Sequence, residues 1–102
     1  NKIMEKHEIV EEYLLNVNKI DYNIDKTLEE AVEVADVLLK YKNKEGDKKP
    51  TREQIAAEIA DLAIRMHIVV ENLDLEELVT QAFDAKMDKL FNYIEEGKYE
   101  KI

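Results

Sequence analysis

Two pairs of carboxylate side chains are the residues of this sequence best suited to chemistry. Glu30 and Glu33 form one pair, and Glu58 and Asp61 form the other. Each pair has the spacing of one helical turn, so a helix would present both members on one face. Carboxylates that converge repel one another unless a cation holds them, and hard divalent cations prefer oxygen ligands. The spacing therefore indicates a site for divalent cations.

The second pair lies on the most apolar stretch of the chain, at residues 51–72. Over these residues apolar side chains would cover nearly the whole circumference of a helix and leave a narrow polar stripe. A helix of this kind is buried on most sides, so Glu58 and Asp61 need a partner. Two partners are open at this point: Arg65, one turn after Asp61, or a cation.

The elements that position these residues are predicted to be four helices. Apolar residues recur at helical spacing along most of the chain, whereas two glycines and one proline leave little material for β-turns. We predict an all-α, antiparallel four-helix bundle-like domain over residues 1–102. The predicted helices cover approximately residues 3–19, 27–41, 51–72 and 75–94.

Glu30 has two alternative roles in the second helix. Residues 19–25 are polar and are predicted to form a connection, after which Asp25 or Thr27 would cap the helix. Thr27 and Glu30 also have the spacing of a capping box. Glu30 is therefore either a capping residue or a metal ligand.

A lysine-rich loop is predicted at residues 41–50, and it would make the second and third helices antiparallel neighbours. Thr51 and Gln54 match a capping box at the start of the third helix. Asp74 with Glu77 matches a further helix start. An antiparallel arrangement would bring the two carboxylate pairs to the same height, as in helix bundles that build metal sites from facing helices.

Composition excludes several classes of partner. The formal net charge of −9 argues against nucleic acid, and the absence of cysteine excludes disulfides and cysteine-bound zinc. The sequence contains no apolar run of about 18 residues, the length that a membrane helix needs, and no signal-peptide pattern at its start. We therefore expect a cytoplasmic protein. The third helix is too apolar for one small bundle to cover, which predicts a homodimer or homotetramer formed through helix faces.

The two histidines lie outside both carboxylate pairs. His7-Glu8 begins like a zinc-protease motif, but Glu11 stands where that motif needs a second histidine, so His7 is predicted to be a surface residue. His67 lies off the carboxylate stripe of the third helix and is predicted to be buried or at an interface.

The segments LEEAVEVADVL and AAEIADLAIRM resemble the E-E-x-x-E and E-x-x-D signature of the all-α nucleoside triphosphate pyrophosphohydrolases. This MazG-like superfamily also takes in dimeric dUTPases, dCTPases and phosphoribosyl-ATP pyrophosphohydrolase. The segment NLDLEELVTQAFDAKMDKL resembles the lysine-bearing helix that follows the second motif in MazG-like proteins. The resemblance extends over approximately residues 26–93.

The resemblance implies Mg²⁺-dependent hydrolysis of a nucleoside triphosphate to the monophosphate and diphosphate, with Mn²⁺ as a substitute ion. By position it assigns the metal ligands, which are Glu30, Glu33, Glu58 and Asp61. Lys86 matches a lysine associated with the substrate phosphates, and Lys26 and Arg65 are further candidates for substrate contact. We expect Glu30 to activate the attacking water, because amphipathicity explains this residue least.

Two other functions remain open at this point. One is phosphoribosyl-ATP pyrophosphohydrolase, which performs the same chemistry on a biosynthetic intermediate. The segment DLEELVTQAFDAKMDKL argues against this member of the superfamily. The other is a non-catalytic helical interaction protein in which the carboxylates are ion-paired.

Overall fold

The computed structural model describes residues 2–102, with side chains from residue 5 onward, so Asn1 of the predicted domain lies outside the described residues. The four helices are α1 (Lys2–Asn16), α2 (Ile20–Asn43), α3 (Arg52–Asn72) and α4 (Glu76–Glu95). Short 3₁₀ turns lie at Gly46–Lys48 and Tyr99–Lys101, and residues 2–102 contain no strand. The predicted all-α class is confirmed.

The centre of the fold is the antiparallel pair formed by α2 and α3, and α1 packs against α3. Asn23 near the start of α2 contacts Asn72 at the end of α3, whereas Val37 shares a groove with Gln54 at the opposite end of the pair. Ile68 is 1% exposed and is the most deeply buried apolar residue of the described side chains. This pair positions the carboxylates that the sequence singled out.

Helix α2 begins at Ile20, so the predicted connection at residues 19–25 is wrong. Lys19 occupies the capping position, and the backbone N–H of Asn23 already donates to its carbonyl oxygen over 3.1 Å. One polar residue of this segment, Asn23, is fully buried, and its side-chain amide donates to both neighbouring helices. Asp21 and Asp25 lie on the exposed side of the same helix, so polarity here marks a helix face rather than a loop.

The predicted capping role of Thr27 is also wrong. Thr27 lies inside α2, and its hydroxyl donates to the carbonyl oxygens of Asn23 over 2.8 Å and Arg65 over 3.2 Å. The capping-box alternative for Glu30 therefore disappears, because Thr27 caps no helix.

The start of α3 matches the sequence-based expectation. The hydroxyl of Thr51 accepts from the backbone N–H of Gln54 over 3.1 Å, and the Gln54 side-chain oxygen accepts from the Thr51 N–H over 2.8 Å. This capping box confirms the prediction and satisfies two donors that the first turn of a helix leaves without partners.

A left-handed residue joins α3 to α4. Asp74 has a φ of 53°, and the N–H of Leu75 donates to the Val70 carbonyl over 2.9 Å. The N–H of Asp74 donates to Glu71, which completes a Schellman motif at the end of α3. Asp74 thus ends α3, and the prediction that it caps α4 is wrong, since Leu75 occupies the capping position without a side-chain hydrogen bond.

Helix α4 has no substantial interface with α1, α2 or α3 within the described chain. Its apolar side is exposed to solvent, at Leu78, Val79, Phe83, Met87, Phe91 and Ile94. The radius of gyration is 17.6 Å, whereas a compact domain of this length has a value of about 13 Å. No helix among the described residues is long and apolar enough to cross a bilayer.

Candidate metal centre

Three carboxylates from two neighbouring helices converge. Glu30 of α2 and Glu58 and Asp61 of α3 each place one oxygen within 4.8 Å of the others. Glu30 and Glu58 are half-buried, and Asp61 is exposed. We call these three residues the carboxylate triad. Three oxygens at this separation can share one hard divalent cation after small side-chain rotations.

Glu33 is the predicted ligand that does not join the carboxylate triad. It is exposed on α2, one turn beyond Glu30, and it lines a groove next to Glu58. Burial, followed by the negative charges of Glu33, Asp61 and Glu30, raises the pKa of Glu58 above its usual value. Glu33 therefore lies at the edge of the carboxylate triad, where its negative charge acts on Glu58.

A groove of about 370 Å³ is lined by one member of the triad, Glu58, and carries three lysines together with the carboxylates of Glu33, Asp36 and Asp47. We call it the lysine groove after Lys40 of α2 and Lys48 and Lys49 of the loop before α3. Lys40 Nζ lies 2.8 Å from Asp36 Oδ2, and this hydrogen bond and charge raise the pKa of Lys40. The lysine-rich loop could have indicated these residues, because a loop that joins α2 to α3 lies where α2 ends and α3 begins.

Lys26 and Arg65 lie on the two helices of the site but do not pair with the carboxylate triad. Lys26 Nζ is 3.4 Å from Glu29 Oε2 and 5.6 Å from the centre of the Tyr22 ring. Arg65 is half-buried, and its Nη1 atom is buried without a hydrogen-bond partner. An Arg65–Asp61 ion pair, one of the two alternatives for Asp61, is not formed.

Lys86 lies on the exposed helix α4. Because α4 has no substantial interface with α2 or α3, the described chain does not bring Lys86 into the lysine groove. Its assignment to substrate phosphates therefore requires α4 to meet the α2–α3 pair of another copy.

His67 was predicted to be either buried or at an interface, and it is not buried. Its side chain is 52% exposed rather than buried, and its Nε2 atom lies 3.1 Å from Glu11 Oε1 on α1. His7 is exposed, as predicted for a surface residue.

Comparison of the chain with family models, with curated proteins and with solved structures finds no significant match. The carboxylate triad can hold a hard cation, and the adjoining lysines can neutralise an anionic ligand.

Proposed function

We propose that the protein is a Mg²⁺-dependent nucleoside triphosphate pyrophosphohydrolase, which converts a (d)NTP and water to the (d)NMP and diphosphate. The observation that carries this proposal is the convergence of Glu30, Glu58 and Asp61 from two adjacent antiparallel helices. The resemblance of the same segments to the MazG-like signature supports it independently.

The carboxylate triad would hold Mg²⁺, with Mn²⁺ as a substitute ion, and Glu33 would strengthen the negative potential from the edge. A bound divalent cation supplies charge neutralisation at the phosphate oxygens and lowers the pKa of water. Glu30 would orient the attacking water and accept its proton, since it lies within the triad and has no capping role.

The lysine groove would receive the phosphates of the substrate. Lys48 and Lys49 are exposed cations beside the carboxylate triad, and Lys40 lies one helical turn from Asp36 on the same wall. Lysine binds phosphate as a compact positive charge, which suits a chain whose net charge of −9 would otherwise repel a triphosphate. These lysines would add to Lys26 and Arg65, the further candidates for substrate contact.

A non-catalytic module with ion-paired carboxylates finds less support. None of the ion pairs between described side chains includes Glu30, Glu58 or Asp61. Glu30 and Glu58 are half-buried and close to Asp61 without a cationic partner, and a divalent cation bound between them would relieve their mutual repulsion.

The active form would be a homodimer or homotetramer. The chain exposes 8590 Å², whereas a compact monomer of 12.0 kDa exposes about 6,000 Å². The exposed apolar side of α4 accounts for part of this excess, and a second copy can cover it. In such an assembly α4 of one copy would bring Lys86 to the lysine groove of another copy.

The test of the activity is a panel of nucleoside triphosphates and phosphoribosyl-ATP with Mg²⁺, scored for diphosphate release. We expect release from at least one nucleoside triphosphate and its loss in Asp61→Asn. Glu53→Gln, an exposed carboxylate in the first turn of α3, serves as the matched control and should retain activity. If no triphosphate yields diphosphate while circular dichroism shows folded helices, the proposal is wrong.

The test of the assembly is complementation between two inactive variants. Lys86→Ala and Asp61→Asn each damage a different part of the proposed shared site. A mixture refolded together should regain part of the activity, because some sites then combine an intact lysine with an intact triad. Sedimentation of the wild-type protein as a monomer at every concentration would contradict the assembly.

A further inference from the structure

A second cluster of metal-binding side chains lies between α1 and α3. Glu11 of α1 and His67 and Glu71 of α3 each place one ligand atom within 4.8 Å of the others. We call these residues the histidine cluster. It shares no residue with the carboxylate triad and uses a different pair of helices.

The two members of the histidine cluster on α3 have helical spacing. His67 and Glu71 are four residues apart on α3, so their side chains extend from the same face. His7 and Glu11 repeat this spacing on α1, and both line the same groove of about 550 Å³. The groove has an apolar wall, which includes the 1%-exposed Ile68.

The distances fit a tetrahedral ion. Ligand atoms about 2.0–2.1 Å from Zn²⁺ lie roughly 3.3 Å apart at the corners of a tetrahedron. His67 Nε2 and Glu11 Oε1 are 3.1 Å apart, close to that edge length. The carboxylate oxygen of Glu71 lies within 4.8 Å of both atoms.

The ligand types separate this cluster from the carboxylate triad. Imidazole nitrogen suits zinc and neighbouring transition metals, whereas carboxylates alone suit Mg²⁺. We propose that Glu11, His67 and Glu71 bind a divalent transition-metal ion of the Zn²⁺ class, with a fourth position open toward the groove that His7 lines. Three protein ligands and one open position form a site that can accept water or an anionic ligand.

The competing explanation is that the His67–Glu11 contact only links α1 to α3 as a hydrogen bond. Glu71 distinguishes the metal site from the structural contact, because it forms no hydrogen bond or ion pair with His67 or Glu11 and would matter only to a metal site. A purely structural contact predicts no effect of Glu71→Gln on metal binding, whereas a metal site predicts a large one.

The experiment titrates the wild-type protein with Zn²⁺ in saturating Mg²⁺, which keeps the carboxylate triad occupied. The chain has two histidines, so imidazole NMR resonances can be assigned with a His7→Gln variant. We expect Zn²⁺ to shift the His67 resonances and to raise the melting temperature. Affinity should fall at least tenfold in Glu71→Gln and in His67→Gln, and it should be unchanged in Glu12→Gln, an exposed neighbour on α1.

The proposal is wrong if the His67 resonances do not move with Zn²⁺, or if Glu71→Gln leaves the Zn²⁺ affinity intact. The titration is repeated with Asp61→Asn protein, in which the carboxylate triad is impaired. Retained Zn²⁺ binding there assigns the ion to the histidine cluster, whether or not the proposed hydrolase activity exists. Loss of Zn²⁺ binding in Asp61→Asn would place the ion at the triad and contradict the proposal.

Discussion

Nδ2 of Asn23 donates a hydrogen bond to Oδ1 of Asn72 over 2.7 Å, although the two residues are 49 positions apart. The same Nδ2 group donates to the Leu14 carbonyl oxygen over 3.1 Å. Asn23 therefore joins α1, α2 and α3 from a position that is fully buried. These bonds fix how far α2 and α3 slide along each other, and hence whether Glu30 meets Glu58.

Replacement of Asn23 by alanine should destabilise the fold. It leaves the Asn72 oxygen and the Leu14 carbonyl without their donor, and a buried polar group without a partner costs about 1–3 kcal/mol. Asn23→Asp should destabilise further, because a carboxylate would face two oxygen acceptors. Urea unfolding measures both, and Asn16→Ala, an exposed asparagine with a hydrogen bond to its own helix, should change little. A small effect of Asn23→Ala would show that the contact does not hold the helices in place.

Glu58 should make the metal-free protein sensitive to pH. Burial and the neighbouring carboxylates raise its pKa in the folded state, so the folded protein keeps this proton to higher pH than the unfolded chain does. The associated stability is present at low pH and is lost as pH rises through the raised pKa. In the presence of a chelator, Glu58→Gln should melt higher than wild type at neutral pH and should lack this loss.

Thermal melts at several pH values measure the difference, with the exposed Glu8→Gln as the control. Added Mg²⁺ should reverse the order, because wild type gains stability by binding the ion and Glu58→Gln gains less. Identical pH profiles for wild type and Glu58→Gln would contradict this account.

Glu30 and Glu33 should differ in their effect on metal affinity. Glu30 lies in the carboxylate triad and Glu33 lies at its edge, so Glu30→Gln should weaken Mg²⁺ or Mn²⁺ binding strongly and Glu33→Gln only mildly. Calorimetric titration with Mn²⁺ compares the two variants under the same conditions. Equal losses would favour the four-ligand site expected from the sequence over the triad.

Asp74 should be replaceable by glycine with a gain in stability. A left-handed conformation costs an L-residue about 1–2 kcal/mol, and glycine avoids most of this cost at the end of a helix. Asp74→Gly should therefore raise the free energy of unfolding by about 1 kcal/mol. The matched control is Asp84→Gly inside α4, which should lower it because glycine weakens a helix interior. A loss of stability in Asp74→Gly would indicate that the aspartate side chain supports the turn.

Local signals in the sequence predicted part of the local structure, since the cap at Thr51 is confirmed whereas the caps expected at Thr27 and Asp74 are wrong. The capping box of Thr51 and Gln54 depends on residues three positions apart, so it forms wherever α3 forms. The pairing of Glu58 with Asp61 also follows from helical spacing alone. The meeting of this pair with Glu30 needed one more inference, that a short loop makes two helices antiparallel.

Contacts between distant residues were not accessible to the same reasoning. Asn23 reads as a loop residue because nothing nearby in the sequence reveals its partner on α3. Lys48 and Lys49 are exposed as expected of a loop, but that they share a groove with Glu58 depends on how the loop folds back. His67 lies off the carboxylate stripe, and its contact with Glu11 depends on the packing of α1.

The cap at Thr51 sets where α3 begins, and therefore the direction around the helix in which each later side chain extends. Since each residue turns a helix by about 100°, one residue inserted between Thr51 and Glu58 would swing both α3 carboxylates away from Glu30. An insertion in the loop before Pro50 leaves those directions unchanged, and longer loops add little free-energy cost. Insertions and deletions among natural versions of this chain should therefore occur in the loop before Pro50 and be absent between Thr51 and Glu58.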